Sequence, residues 1–335
     1  MLQTVFKVTW RLLFLVVLFA GGVSPMAAVA KDAVPQEMID VGGYRLNSVY
    51  LRASRPELPP VVFVHGASAN LFDPMLSFRD KLEGRADLLF VDRPGYGRSE
   101  RGGAANASPD GQADAIAALM DKRGIRKAVI VGHSFGGAVV AAFALRHPDK
   151  VVGLVFLSPA VYPWPGGIAW YYRAASAPVT GWLFSTFVAP PAGLVAINSA
   201  VAGVFAPNVA PKDYVEKTHA RMAIRPASFH NNSVDIANLK DWTRRTSPRY
   251  PEIAKPTIII TGDTDSVVSP TIHAKQLSEA IRGARLISIR NMGHKSDYVA
   301  RDVAVAAIET LGGKKRDLSA IARRVEARIA GDHEK

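Results

Sequence analysis

The residues best suited to chemistry in this chain are a serine at 134, a histidine at 294 and a pair of aspartates at 263 and 265. Gly132-His133-Ser134-Phe135-Gly136 lies between an apolar run, AVIV at 128–131, and the helix-like stretch GGAVVAAFALR. A serine hydroxyl is a poor nucleophile until a base takes its proton and donors stabilise the oxyanion it creates. A sharp strand-to-helix turn exposes the side chain and brings backbone N–H groups near it. The crowding at such a turn admits only small residues two places before and two places after. In a chain with 27 glycines the five-residue pattern alone says little. The strand before it and the helix after it carry the signal. The competing reading is a glycine-rich helix start that only packs, or that binds phosphate at its N-terminus.

A base and an acid must accompany the serine. His294 sits in Asn291-Met292-Gly293-His294, directly after the apolar run RLISI at 285–289, where a loop can carry an imidazole over the carboxyl edge of a sheet. Of the other seven histidines, His65 and His133 flank glycine turns and read as backbone-shaping groups. His147, His219, His230, His273 and His333 lie in helical or tail contexts with no acid in view. The acid should follow the preceding strand, TIII at 257–260, where Asp263 and Asp265 are both available to orient an imidazolium. Either could instead cap the next helix. Position alone favours neither.

The elements that must hold these groups can be read from patterning. Residues 38–55 read as two strands joined at Gly42-Gly43. Short runs rich in β-branched residues follow at 61–64, 88–91, 128–131, 152–157, 257–260 and 285–289. Such runs suit strands buried on both faces. Helical patterns fall between them at about 74–83, 109–123, 135–147, 271–282 and 297–310, and Ser108-Pro109 supplies an N-cap and an N1 proline to the second. Alternating strands and helices predict an α/β fold with a mostly parallel sheet and helices on both faces. The regularity fails over 159–250, which holds Trp164, Trp170, Tyr171, Tyr172, Trp182, Phe184 and Phe187. That stretch is too long for a structureless loop and reads as a helical insertion above the sheet.

Taken in order, His65-Gly66, Asp92-Arg93-Pro94-Gly95-Tyr96-Gly97-Arg98-Ser99, Gly132–Gly136, Gly262-x-x-Asp265-x-Val267 and Gly293-His294 resemble the α/β-hydrolase superfamily over about residues 60–310, the insertion excepted. The resemblance implies a cap inserted after the sixth strand and selects Asp265 over Asp263. It implies an oxyanion hole formed by the backbone N–H groups of Ala67 and Phe135. The segment Arg225-Pro226-Ala227-Ser228-Phe229 resembles one in exported members. The activity implied is that of a serine hydrolase working through an acyl-enzyme, with no metal or organic cofactor required; the aromatic residues of the insertion suggest a small apolar acyl or ring substrate, or else form the cap's own core. Serine at 134 argues against dehalogenase and epoxide-hydrolase relatives, which use aspartate. Perhydrolase, carbon–carbon bond hydrolase and acyltransferase relatives keep the same triad, as would a slow-turnover receptor.

The 335 residues carry 41 Lys+Arg against 29 Asp+Glu, a formal charge of +12. The tail 314–335 holds +3 of this and Lys7 with Arg11 another +2, leaving +7 over 31–313 with no compact basic run. Nucleic-acid binding, which needs a clustered basic footprint, is not expected. The absence of cysteine excludes disulfides and thiolate metal sites. Residues 1–30 read as a targeting segment: Lys7 and Arg11, the apolar run Leu12–Ala20, then Ala28-Val29-Ala30 as a cleavage site. Cleavage would leave Lys31 as the mature start and a periplasmic or secreted protein. An uncleaved segment 12–30 would anchor the chain to a membrane instead. The expected organisation is therefore a leader at 1–30, a core at 31–158 and 251–311, a cap at 159–250 and a basic tail at 312–335. In that tail Leu318, Ile321, Val325 and Ile329 fall on one helical face, either packed on the domain or free to meet lipid.

Overall fold

A computed structural model describes residues 34–333; the expected leader lies outside the described residues. The first two strands, β1 (Glu37–Asp40) and β2 (Arg45–Leu51), form an antiparallel hairpin. Its turn places Gly42 and Gly43 at φ +119° and +91°, where a side chain would be strained. Six further strands follow: β3 (Val61–Val64), β4 (Leu88–Val91), β5 (Ala128–His133), β6 (Val151–Leu157), β7 (Thr257–Gly262) and β8 (Arg285–Ile289). They join the hairpin in one eight-stranded sheet of order β1-β2-β4-β3-β5-β6-β7-β8. β2 pairs antiparallel with β4, and every later pairing is parallel.

The continuous apolar runs are explained by burial on both faces. Phe63 of β3 stacks on Phe78 and Phe90, with ring centroids 4.9 and 4.7 Å apart, while Val62 and Val64 join a core that includes Ile116, Leu119, Val139 and Val140. Successive strand residues point to opposite faces, so each layer of helices receives alternate side chains. Those helices are α1 (Phe72–Leu82) after β3, α2 (Pro109–Lys122) after β4 and α3 (Phe135–Arg146) after β5. Ser108 caps α2 by accepting from Gly111 N–H, with Pro109 in the first turn.

Between β6 and β7 lie five helices: α4 (Trp170–Ser176), α5 (Thr180–Phe187), α6 (Ala189–Phe205), α7 (Tyr214–Lys217) and α8 (Pro226–Thr246). After β7 comes α9 (Gln276–Ala280); after β8 come α10 (Ser296–Val299), α11 (Arg301–Leu311) and α12 (Leu318–His333). Two expected helices differ in detail. The helix expected at 271–282 begins as a π-turn, Thr271–Lys275, before α9. The one expected at 297–310 is broken at Ala300, which leaves helical geometry at φ −103°, ψ 23°. Hydrophobic period does not register a one-residue break. The tail helix buries Leu318, Ala322, Val325 and Ile329, so its apolar face is covered by the domain. Arg290 and Glu326 bridge β8's end to it at 2.8 Å.

Candidate functional site

Ser134 occupies the single residue between β5 and α3, at φ 54° and ψ −119°. That backbone is strained for a side-chain-bearing residue, at a cost of about 1–3 kcal/mol, and persists only where its surroundings enforce it. The enforcement is visible. Ser134 N–H donates to Leu157 O at 2.9 Å, and its carbonyl accepts from Gly137 and Ala160 N–H at 2.9 and 3.0 Å. A Cβ on Gly132 would lie 2.4 Å from Gly136 O, and one on Gly136 would lie 2.3 Å from Val64 O. The turn therefore demands glycine on both sides, for the crowding reason inferred from sequence.

His294 follows β8 and is buried beside Asp265, which follows β7. Asp265 Oδ2 accepts from His294 Nδ1 at 2.8 Å, and its Oδ1 accepts from Val267 and Val268 N–H, both at 2.9 Å. Burial alone would raise the Asp265 pKa, but the bond and charge of His294 and the two backbone donors outweigh it and hold the carboxyl below its ordinary value. A carboxylate that only accepts puts the proton of neutral His294 on Nδ1, leaving Nε2 free to take another. Asp263 is exposed and accepts from Asn291 N–H at 2.8 Å, which bridges two loops rather than reaching the imidazole.

Ser134, His294 and Ala67 line one cavity of about 600 Å³. No hydrogen bond joins Ser134 Oγ to His294 among the described residues. Phe135 turns its ring away beneath the Arg93 guanidinium, 4.5 Å from the ring centre, so only its N–H bears on the turn. As the first residue of α3 that N–H has no acceptor within the helix, and it adds to the partial positive charge of the helix start. Ala67 N–H likewise has no acceptor among the described residues.

Sequence reading missed the groups that fix the Ala67 loop. Arg93, fully buried, donates to His65 O at 3.0 Å, Gly66 O at 2.8 Å and Gln112 Oε1 at 2.7 Å. Asp235 on α8 accepts from Arg101, Tyr96 and Gln112 at 2.5, 2.9 and 2.7 Å. Asn232, one turn earlier, accepts from Ser68 N–H at 2.8 Å. The inserted helices are thereby tied to the loop that carries Ala67. The signal available in the sequence was the charged run Asp92-Arg93 directly after a buried strand.

A second buried group was also missed. Lys295, 3% exposed, donates to Asp73 at 2.9 and 3.0 Å and to Asp297 at 2.8 Å. Burial would lower its pKa, but the two carboxylates raise it well above the ordinary value. His133 donates from Nε2 to His294 O at 2.9 Å, and burial beside Lys295 holds its pKa well below the ordinary value. Its ring thus braces the His294 backbone, a larger part than turn shaping. Asp73, His133 and Asp297 are spaced closely enough to ligate a metal, but the Lys295 ammonium already lies against both carboxylates as their cation. The third histidine of note, His273, accepts at Nδ1 from Val161 and Tyr162 N–H and secures the start of the insertion.

The rest of the cavity wall is mostly apolar, with α6 contributing Ala189, Ala192, Gly193, Ala196 and Ala200. Ile197, Val201, Val204 and Phe205 of the same helix complete its apolar contribution, and Gly193 admits the Ile224 side chain against α6.

Residues 59–298 match the family model described as alpha/beta hydrolase fold. Lipase 3 of Moraxella sp. (strain TA144) is 27% identical over 70% of this chain and 71% of its own. The 2-(acetamidomethylene)succinate hydrolase of Mesorhizobium japonicum is 25% identical over 84% of this chain and 96% of its own. Among solved structures, the enol-lactonase from Burkholderia xenovorans LB400 superposes with a TM-score of 0.67 at 20% identity, covering 83% of this chain and 100% of that one. A family match over most of the chain, joined to this sheet order, makes the chain a member of the α/β-hydrolase family and a hydrolase of that type.

Proposed function

We propose that this hydrolase cleaves an ester or related acyl bond of a small apolar substrate through an acyl-enzyme on Ser134. The observation that carries the reading is the serine held at positive φ on the wall of the same apolar cavity as His294, with the His294 Nδ1 proton given to buried Asp265. His294 Nε2 takes the Ser134 proton as Oγ bonds to the acyl carbonyl carbon, and the resulting oxyanion is held by the N–H groups of Ala67 and Phe135. The tetrahedral species collapses, the C–O bond to the alcohol breaks, and the alcohol leaves with the proton from His294. A water then gives its proton to His294 and attacks the acyl-enzyme, releasing the acid and restoring Ser134. Asp265 stabilises the imidazolium formed in both halves. The Ser134–His294 contact tightens as substrate fills the cavity, as general-base contacts often do.

Charge in the cavity supports an uncharged acyl group. Its charged lining residues apart from the histidines are Asp73 and Lys295, and the Lys295 ammonium is already held by Asp73 and by Asp297 behind it. A carboxylate-bearing substrate, such as the succinate named for the Mesorhizobium relative, would find no free cation among the described residues of the cavity wall. We expect Ser134→Ala to lower kcat on short acyl esters by roughly 10⁴ or more. Near-full esterase activity in that variant would overturn the reading.

A further inference from the structure

We propose that α5 and α6 form a lipid-docking face through which acyl chains of membrane esters enter the cavity above Ser134. Of the eleven large apolar side chains exposed on the described surface, nine lie between Trp170 and Val195. Val195 is 88% exposed, Val179 82% and Phe187 68%, an arrangement a lone soluble surface rarely carries. From Ala174 to Pro211 the chain has no Asp, Glu, Lys, Arg or His.

Lipid is the occupant that this chemistry fits. The charge-free stretch is bounded by Arg173 and Lys212, both exposed and without an acidic partner among the described ion pairs, as an anionic headgroup layer requires. Among the described residues no single helix is long and apolar enough to cross a membrane; α5 and α6 reach that length and composition only together, and they are bent by 59° at their junction. Because the other side of the pair lines the cavity, only its exposed face, with Trp182, Phe187 and Val195, is free to sink among the headgroups and upper acyl chains. The face also continues into the site, because Trp170, Tyr171 and Val188 are exposed and line the cavity as well. Docking stands on the face alone; delivery of an acyl chain to Ser134 rests on the hydrolase reading above.

The test is hydrogen exchange on the full chain, with and without vesicles of phosphatidylcholine and phosphatidylglycerol, in wild-type and Ser134→Ala protein. Amides of 179–205 should slow several-fold on vesicles in both proteins, and those of α2 should not change. A triple variant, Trp182→Glu with Phe187→Glu and Val195→Glu, alters side chains outside the cavity wall. It should lose the slowing and turn over vesicle-borne esters about tenfold or more slowly, with soluble short esters unaffected. Unchanged exchange on vesicles would overturn the proposal. So would the same slowing in lipid-free protein on raising its concentration, which assigns the face to a second copy. Slowing in the Ser134→Ala protein with no ester turnover in wild type would leave docking standing and remove the hydrolase reading.

Discussion

Replacing Asp265 by asparagine changes one atom and should stop the reaction by reversing a proton. Oδ1 of Asp265 accepts from two backbone N–H groups, those of Val267 and Val268, so an amide at 265 must present its oxygen to them. Its NH₂ then faces His294 Nδ1 at the 2.8 Å now spanned by the carboxylate. Two donors cannot share that gap. His294 moves its proton to Nε2, the atom that must accept from Ser134, and the base is lost. Loss of the correct tautomer together with the carboxylate charge is worth about 10⁴ in kcat, or roughly 5.5 kcal/mol of barrier. The fold should hold, since the loop bonds to Val267 and Val268 are retained. The assay is kcat/KM on a soluble short ester beside thermal melting of both proteins. A variant that melts with wild type and retains more than about a tenth of its activity would refute the tautomer argument.

Three further outcomes follow from buried charge and packing. Lys295→Met leaves Asp73 and Asp297 buried without their cation and should cost about 3–5 kcal/mol in urea denaturation; a loss under about 1 kcal/mol would contradict it. Burial lowers the His273 pKa to about 4 from an ordinary 6.5, so the unfolded chain binds this proton more readily. Stability should therefore fall as pH drops from 6.5 to about 4, by up to about 3 kcal/mol from this group, and His273→Gln should flatten part of that slope in melts taken across the range. Ending the chain at 311 removes Leu318, Val325 and Ile329 from their buried seats, each worth about 1.5–3 kcal/mol when fully covered. Tm should drop by roughly 5 °C or more with no change in vesicle sedimentation.

The parallel strands and the Ser134 turn were legible because their physics is local. VVFV, LLFV and AVIV are apolar throughout because helices cover both faces, and the glycine at 132 answers a clash with Gly136 O inside the turn, whereas the one at 136 is required by the neighbouring strand, at Val64 O. Asp265 over Asp263 was not legible from position, since both follow the same strand; only the approach of the β8 loop decides which one meets His294. The Lys295–Asp73 pair joins residues 222 positions apart, and Arg93–Asp235 joins residues 142 apart. A local window marks Arg93 only by its place directly after a buried strand, and it names neither Asp235 as the partner nor the Lys295–Asp73 pair. The tail shows the same division: its apolar face could be read from spacing, but the surface it packs against could not.

The central claim is a covalent intermediate on Ser134, and rapid-quench mass spectrometry of the enzyme mixed with an activated short ester tests it most directly. The acyl mass is expected on the peptide containing Ser134, formed before steady-state turnover and lost as water releases the acid. Turnover with the acyl group on another residue, or with no covalent species in either wild-type or Ser134→Ala protein, would contradict it.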